Sequence, residues 1–225
     1  MRVLRVMAWL MVTPIVLAIA LVLPFRWLDP PTTAFILRDP LPAHSRAPRQ
    51  WIPLAQMSWT LPMAVISAED QKFADHHGFD FEAISQALSE SRRRMRGAST
   101  ITQQLAKNLY LWPGRSLFRK GMEAGLTVLL ELLWSKQRIL EVYLNVVEFG
   151  EGVYGAGAAS RRFFATHPAR LSLEQASRLA AVLPNPRARS AIRPSAALRR
   201  RVSAIRRGVR NLGGAAYLSR FAGSG

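Results

Sequence analysis

A chain of 225 residues with 49% apolar side chains can bury the core of one ordinary domain or of two small ones, so the composition does not favour a disordered chain. The 31 basic residues outnumber the 14 acidic residues, and the net charge of +17 favours anionic partners such as nucleic acid, anionic lipid or a phosphorylated substrate. Because the sequence contains no cysteine, it excludes disulfides, thiolate metal sites and a cysteine nucleophile.

An uncharged run of 20 residues lies near the start of the chain, from Val6 to Phe25. A helix of this length can cross a hydrocarbon core about 30 Å thick. Arg2 and Arg5 precede the run, which places the N-terminus in the cytoplasm by the positive-inside rule. A cleavable signal peptide is the alternative, but its apolar region is usually only about 7–15 residues long. We therefore predict a retained transmembrane anchor over residues 1–26, with the rest of the chain outside the cytoplasm.

The next segment, residues 27–54, is rich in proline, which predicts an irregular juxtamembrane stretch. Trp51 and Trp59 could lie at a membrane interface or pack in the core, and the sequence leaves both open. From Pro62 onward helical periodicity dominates, which predicts a mostly α domain over residues 55–225. No alternating strand pattern is present. The predicted helices cover residues 63–70, 81–94, 100–111, 116–134, 135–147, 157–164, 172–183 and 195–212.

The helix predicted over residues 100–111 has one polar and one apolar face. Thr100 and Gln103 have the spacing of a capping box, which sets the start of the helix. The polar face offers hydroxyl, amide and ammonium groups that suit hydroxyl and phosphate oxygens better than an ordinary solvated face would. At 100° per residue, this face gathers Thr100, Gln103, Gln104 and Lys107, away from the apolar Ile101, Leu105 and Leu109.

Two glutamates lie 54 residues apart on either side of this helix. Glu69 follows the apolar segment Ala64–Ala68, where partial burial would raise its pKa toward that of a useful base; a solvated helix end is the alternative. Glu123 follows Arg119 and Lys120, so two cations could hold it ionised; an ordinary surface ion pair is the alternative. Two carboxyl groups in different environments are what acid and base chemistry at a sugar carbon needs.

The histidine and glycine patterns predict no cofactor site. His76 could be a switch, a ligand or a hydrogen-bonding core residue, and we favour the last, since the four histidines lack metal-ligand spacing. The segment Gly150–Gly155 matches G-x-G-x-x-G, but a predicted helix rather than a strand precedes it, so a dinucleotide site is not expected. We predict a loop whose backbone requires glycine.

Four motifs follow one another along the chain: Glu69–Gly78, Gly97–Asn108, Arg119–Glu123 and Lys136–Asn145. In this order they resemble the motifs of the peptidoglycan glycosyltransferases, family 51, and the resemblance covers about residues 55–190. The apolar run and the segment Asp29–Thr33 are similar to the monofunctional Gram-negative members. The resemblance implies a lysozyme-like, mostly α glycosyltransferase domain with a small mobile lobe at about residues 92–120, preceded by one transmembrane helix.

The resemblance also implies a reaction. The substrate would be lipid II, a disaccharide-pentapeptide on undecaprenyl pyrophosphate, and the product a β-1,4 glycan strand formed with inversion. Glu69 would be the general base that deprotonates the acceptor 4-hydroxyl, and Glu123 would help to hold the departing pyrophosphate. No cofactor or protein metal site is evident, although a Mg or Mn ion at the pyrophosphate remains an expectation. The implied substrate-binding residues are Ser99, Thr100, Gln103, Gln104, Lys107, Asn108, Arg115, Arg119 and Lys120.

The last predicted helix, residues 195–212, places an apolar stripe among six arginines. The stripe could cap the core, or the arginines could contact anionic lipid headgroups, and both remain open. We expect lipid II, the growing glycan strand, inner-membrane lipid and wall-synthesis or cell-division proteins as partners. Nucleic acid is not expected, because these arginines would lie outside the cytoplasm. The stripe is Leu198, Val202, Ile205, Val209 and Leu212, and the arginines are Arg199, Arg200, Arg201, Arg206, Arg207 and Arg210.

Two other functions remain as alternatives. A lysozyme-like lytic hydrolase would also use a glutamate on a helical fold, but its leaving group is a sugar oxygen, so it would not need the cations Lys107, Arg115 and Lys120. A non-enzymatic membrane scaffold would leave the polar face of residues 100–111 without a purpose. Growth or cleavage of glycan strands in vitro separates the transferase from the hydrolase.

Overall fold

The computed structural model describes residues 2–89, 99–114 and 116–221. This part of the chain contains ten α-helices and one short antiparallel hairpin, of strands β1 Glu148–Gly150 and β2 Val153–Tyr154, so the mostly α fold class is confirmed. The helices are α1 Arg2–Val22, α2 Ala34–Leu37, α3 Thr60–Glu69, α4 Phe81–Ser89, α5 Ile101–Tyr110, α6 Leu117–Leu133, α7 Lys136–Val146, α8 Ala156–Phe164, α9 Leu173–Val182 and α10 Ala196–Asn211.

Capping side chains explain why most predicted helix starts agree with the observed ones to within about one residue. Thr100, Ser116, Ser135, Ser172 and Ser195 each accept a hydrogen bond from the backbone N–H three residues on, which satisfies one free donor of the first turn. The capping box predicted at the start of α5 is confirmed. The helix predicted over residues 81–94 is described as α4 to residue 89, and the remainder lies outside the described residues.

The hairpin is a correction to the sequence analysis. Its strands have three and two residues, which is too short to show an alternating pattern. They fall in and around the G-x-G-x-x-G segment, so the prediction of a plain loop directly after a helix is wrong. The need for glycine is confirmed at Gly155, where φ is 83° and an added Cβ would lie 2.5 Å from the carbonyl oxygen of Asn145.

Helix α3 lies at the centre of the domain. Every residue from Thr60 to Ser67 is buried, and α9 and α10 pack against it, as expected for a helix that is apolar all round. A second group of helices, α5, α6 and α7, packs together and buries Ile101, Leu105 and Leu130 completely. Burial of each such side chain stabilises the fold by about 1.5–3 kcal/mol. The core therefore fixes the C-terminal end of α3, where Glu69 lies.

Helix α10 covers α3 with its apolar stripe, so the alternative in which this stripe caps the core is confirmed. The approach is close at Gly208, where an added Cβ would lie 2.3 Å from Ser67 Oγ. The same hydroxyl donates to the carbonyl oxygen of Ile205 at 3.0 Å. A contact of the flanking arginines with lipid stays a prediction. The buried stripe residues are Leu198, Val202, Ile205 and Val209, with Leu212 half-buried beside them.

The Pro-rich segment packs on the domain surface rather than extending from it. Ile52 is completely buried, and the Asn145 amide pairs with its backbone, accepting from the N–H at 2.9 Å and donating to the carbonyl at 2.8 Å. Asp39 is also buried and accepts a 2.6 Å hydrogen bond from the Tyr154 hydroxyl. These contacts tie residues 39–52 to α7 and to the hairpin.

The two tryptophans near this segment differ in environment. Trp51 is half-buried, with the Arg138 guanidinium 5.3 Å from its ring centroid. Trp59 is exposed, and a Cβ added at Gly214 would lie 3.6 Å from its ring. Trp51 therefore packs against the domain, whereas an interfacial position stays a prediction for Trp59.

The apolar N-terminal run forms α1, which continues as a short 3-10 helix over Leu23–Arg26. The Trp134 indole N–H donates to the carbonyl oxygen of Val22 at 3.1 Å and joins this region to α6. Among the residues described here, no helix combines the length and the apolarity required to cross a membrane. The transmembrane anchor over residues 1–26 therefore stays a prediction.

The small lobe predicted for about residues 92–120 is only partly described, because residues 92–98 and 115 lie outside the described ranges. Helix α5 falls within the predicted lobe, yet Ile101, Leu105 and Ala106 are completely buried in the main core. The predicted lobe is therefore too wide, since α5 belongs to the body of the domain. Mobility of the remainder stays a prediction.

Candidate active site

Glu69 is the last residue of the central helix α3, and its side chain is only 12% exposed. Gln104 Nε2 donates to one carboxylate oxygen at 3.0 Å, and Arg201 donates to the other at 3.0 Å. Burial raises the pKa of the Glu69 carboxyl, while the Gln104 hydrogen bond and the Arg201 charge oppose the rise. The predicted upward shift of the pKa is confirmed, and the Glu69 carboxyl is partly desolvated and fixed by two hydrogen bonds.

Tyr143 on α7 orients the amide of Gln104. Its hydroxyl donates to Gln104 Oε1 at 2.8 Å, so the amide nitrogen is directed at Glu69. Tyr143 is completely buried, and burial together with the Glu69 charge raises the pKa of its phenol. The hydroxyl therefore keeps its proton and remains a donor.

The loop after Glu69 is joined to the start of α5 by Asp70. One Asp70 oxygen bonds His76 Nε2 at 2.8 Å, and the other accepts from the Ile101 backbone N–H at 3.0 Å. The Gly78 N–H donates to His76 Nδ1 at 3.1 Å, so Nε2 carries the proton that is shared with Asp70. His76 is thus a hydrogen-bonding core residue, as predicted. This network sets α5, and with it Gln104, opposite Glu69.

Glu123 lies in the second turn of α6 and is almost completely buried. Arg119 donates to one of its oxygens at 2.7 Å, and Lys120 pairs with the other. The alternative of an ordinary surface pair is wrong, because the Arg119 and Glu123 side chains are only 9% and 3% exposed. Two cations thus compensate a buried carboxylate, and Lys120, 46% exposed, still faces solvent.

Lys107 lies on the polar face of α5 and interacts electrostatically with both Glu69 and Glu123. Burial lowers the pKa of its ammonium, while the charges of Glu123 and Glu69 raise it, so both carboxylates lie within electrostatic range. Among the described residues no carboxylate is within ion-pair distance of Lys107, and the Phe35 ring lies 5.4 Å from its Nζ. This cation is desolvated and remains available to an anionic ligand.

Two clefts of similar size border these residues. One, of about 220 Å³, has Glu69, Asp70 and Ser99 in its wall. The other, of about 210 Å³, has Gln104 and Lys107 in its wall and extends to the hairpin. Because Gln104 contacts Glu69 and also lines the second cleft, the Glu69 carboxyl and the Lys107 ammonium border a common polar surface.

The family comparison agrees with this arrangement. The profile of the transglycosylase family matches residues 39–209, which is most of the chain. The chain belongs to the transglycosylase family. It is 50% identical to a biosynthetic peptidoglycan transglycosylase of Stutzerimonas stutzeri, over 98% of this chain and 93% of the relative. Proteins of the same name from Xanthomonas axonopodis pv. citri and Pseudomonas putida are 49% and 52% identical, over 95% and 89% of this chain and 92% and 88% of the relatives.

In this transglycosylase-family structure, several predicted substrate-binding residues have accessible positions. Ser99 lines the same cleft as Glu69, and Gln104 donates a hydrogen bond to Glu69. Lys107 and Asn108 line the second cleft. Lys120 is half-exposed beside Glu123. Substrate binding by these side chains stays a prediction that their positions permit.

Other predicted binding residues already serve the fold. Thr100 caps α5 and donates to the Gly78 carbonyl at 2.7 Å, although it also lines the first cleft. Gln103 is buried and its amide oxygen accepts from the Thr100 N–H at 3.0 Å, which leaves it a capping role. Arg119 is buried against Glu123, and Arg115 lies outside the described residues.

Sequence reasoning missed Arg201 and Tyr143 as partners of the site. Arg201 is one of six similar arginines on α10, and only the packing of α10 on α3 distinguishes it. Tyr143 occurs in the fourth motif, Lys136–Asn145, which supported the family resemblance but assigned no role to Tyr143. In the same motif Asn145 is structural, because it holds the backbone of Ile52.

Proposed function

We propose that this chain polymerises lipid II into β-1,4-linked glycan strands, with release of undecaprenyl pyrophosphate. The observation that carries the proposal is the pair of carboxylates in opposite environments around one cationic helix face. Glu69 is buried with a raised pKa, and Glu123 is compensated by two cations. The relatives named biosynthetic peptidoglycan transglycosylase support a wall polymer as the product.

Glu69 acts as the general base for the acceptor sugar. Its raised pKa lies closer to the working pH, so the carboxylate can accept the 4-hydroxyl proton as that oxygen attacks the donor carbon. The new carbon–oxygen bond forms while the bond from the same carbon to the pyrophosphate oxygen breaks. A single displacement of this kind inverts the configuration at the sugar carbon.

The cations near Glu123 stabilise the leaving group. Charge grows on the pyrophosphate oxygen as its bond to the sugar breaks, and fixed cations aimed at that oxygen lower the barrier. Lys107 suits this role because it is desolvated and has no carboxylate partner among the described residues. Lys120 extends the positive surface, while Glu123 holds both Lys120 and the buried Arg119 in position. Arg115 is a further candidate from the sequence.

A Mg or Mn ion at the pyrophosphate stays an expectation, for which Glu123 does not supply a free ligand. Both of its carboxylate oxygens already accept from cations, and no three acidic or histidine side chains converge as metal ligands anywhere in residues 2–89, 99–114 or 116–221. We therefore assign charge neutralisation to Lys107, Arg119 and Lys120, and no step passes through a metal.

A lytic hydrolase is the less favoured function. Its sugar leaving group carries no pyrophosphate charge, so it would gain little from a desolvated Lys107 that has no carboxylate partner in the described ranges and lies beside two further cations.

Peptidoglycan synthesis implies an extracytoplasmic enzyme, and we propose a single-pass inner-membrane protein with a periplasmic catalytic domain. Residues 1–26 would be the anchor. Exposed apolar side chains on α1, such as Trp9 and Leu17, and at the start of α6, Leu117 and Phe118, support contact with lipid. A reporter fused after Gly225 that is active only in the cytoplasm would contradict this topology.

The function is tested with the purified full chain and lipid II as the only substrate. We expect glycan polymer and released undecaprenyl pyrophosphate, without a partner protein. Shortening of preformed strands with no polymer from lipid II would instead identify a hydrolase, and no turnover of either substrate would reject both functions.

A further inference from the structure

A short 3-10 helix, Gly214–Arg220, follows α10, packs against α3 and contacts the loop after Glu69. It lies beyond residues 39–209, the region that the family profile matches. The family resemblance therefore assigns it no role. Its contacts nevertheless fall on the loop that connects Glu69 to His76.

Tyr217 makes the central contact of this segment. It is buried, and its hydroxyl donates to the Gln71 carbonyl at 3.0 Å and accepts from the Ala74 N–H at 3.1 Å. The phenol thus satisfies two backbone groups of one tight turn, which would otherwise lose hydrogen bonds in a partly buried site. Burial raises the pKa of the Tyr217 phenol, which keeps the donor proton in place.

Two neighbouring side chains strengthen the same contact. Phe221 packs edge-to-face against the completely buried Phe73, with ring centroids 5.6 Å apart. Arg220 pairs with Asp75, but both side chains are nearly half exposed, so this ion pair adds little. The turn is therefore held from outside by the Tyr217 hydroxyl and the Phe221 ring.

A continuous set of contacts leads from this turn to the base. The loop closes on itself through the Asp70–His76 hydrogen bond, and Asp70 also binds the first N–H of α5. Helix α5 carries Gln104, which donates to Glu69. A shift of the turn would move the segment that begins one residue after Glu69 and admit water beside its carboxylate.

We propose that Tyr217 is a positioning residue for the catalytic base. By fixing the turn at residues 71–74, it keeps Glu69 desolvated and aligned with Gln104. This inference rests on the proposed polymerase function, and it gives the segment beyond residue 213 a part in the reaction rather than in folding alone.

The test compares Tyr217→Phe with Tyr110→Phe in the full chain. Tyr110 is a matched control, because its hydroxyl is buried and has no hydrogen-bond partner within the described residues. With lipid II as substrate, Tyr217→Phe should lower kcat by about 10- to 100-fold, the scale of a displaced catalytic group, with a much smaller change in KM. The acid limb of the pH profile of kcat should move to lower pH. Water beside Glu69 reduces the desolvation that raises its pKa, so the carboxylate is ionised at lower pH.

A role in folding alone would lower the Tm of Tyr217→Phe but leave kcat and the acid limb unchanged at temperatures well below the Tm, and that result would overturn the inference. If Tyr217→Phe does not fold, Phe221→Leu loosens the same turn while keeping the hydroxyl, and it must shift the acid limb in the same direction. Failure of the wild-type chain to polymerise lipid II would reject the proposed function, whereas an active wild type with equal Tyr217→Phe and Tyr110→Phe rates would reject this inference alone.

Discussion

Glu69 and Glu123 are the same residue type in two different environments. Glu69 lies at the end of α3, where the negative end of the helix dipole and burial both oppose its charge, and its partners are one amide and one partly exposed arginine. Glu123 is more deeply buried but has a cation on each oxygen. The comparison teaches that the neighbours, rather than the depth of burial, distinguish the proposed proton acceptor from the carboxylate that holds two cations.

The strongest test of this contrast is Glu69→Gln. The amide keeps the size of the carboxylate but cannot accept the hydroxyl proton, so polymerisation should fall by about 10²- to 10⁴-fold while lipid II binding stays nearly intact. Rates and binding are measured on protein whose fold is verified by circular dichroism. A variant that retains more than about a tenth of wild-type turnover would show that Glu69 is not the base.

On the other side of the comparison, Lys107→Ala should slow turnover by about 10²-fold, comparable to the loss of one preorganised donor. Arg162→Ala is the control, since this cation is exposed on α8 and lines neither cleft. Lys136 would be a poor control, because it is only 12% exposed and lies over the Phe73 ring. Equal, small losses for Lys107→Ala and Arg162→Ala would show that Lys107 is not part of the leaving-group site.

Glu123→Gln should affect stability as well as turnover. Removal of one partner from a buried ion pair costs about 3 kcal/mol, because Arg119 stays buried without its counter-charge. We expect a lower Tm and a higher KM for lipid II, whereas Glu69→Gln acts mainly on kcat. Glu82→Gln, which removes an exposed partner of Lys72, serves as the control in thermal unfolding. A Glu123→Gln protein with unchanged Tm and KM would contradict its role in holding the cations.

The smallest expected effect is that of Arg201→Ala. The Arg201 charge lowers the pKa of Glu69, so its removal raises that pKa and the base stays protonated to higher pH. The acid limb of kcat/KM should therefore move to higher pH, opposite to the shift expected for Tyr217→Phe. The loss at the optimum should reach at most about fivefold, because the pair is partly exposed. Arg200→Ala, an exposed neighbour on the same helix, should leave the pH profile unchanged.

The sequence alone determined the features that depend on neighbours three or four residues apart. The capping residues set the N-terminal starts of α5 and α9. The spacing of Arg119, Lys120 and Glu123 brings both cations next to the carboxylate. The motif order also indicated the family that the profile match later showed. These features follow from helix geometry, which repeats every 3.6 residues and can be read from spacing.

Only the tertiary structure decided which distant groups meet at the base. Arg201 lies 132 residues from Glu69, and Tyr143 lies 39 residues from Gln104, so no local pattern connects them. The sequence pattern likewise did not predict the short hairpin or the hydrogen bonds between Tyr217 and the turn after Glu69. Such contacts depend on how separate helices pack, because one face of α10 carries several similar arginines and the docking of that face on α3 selects one of them.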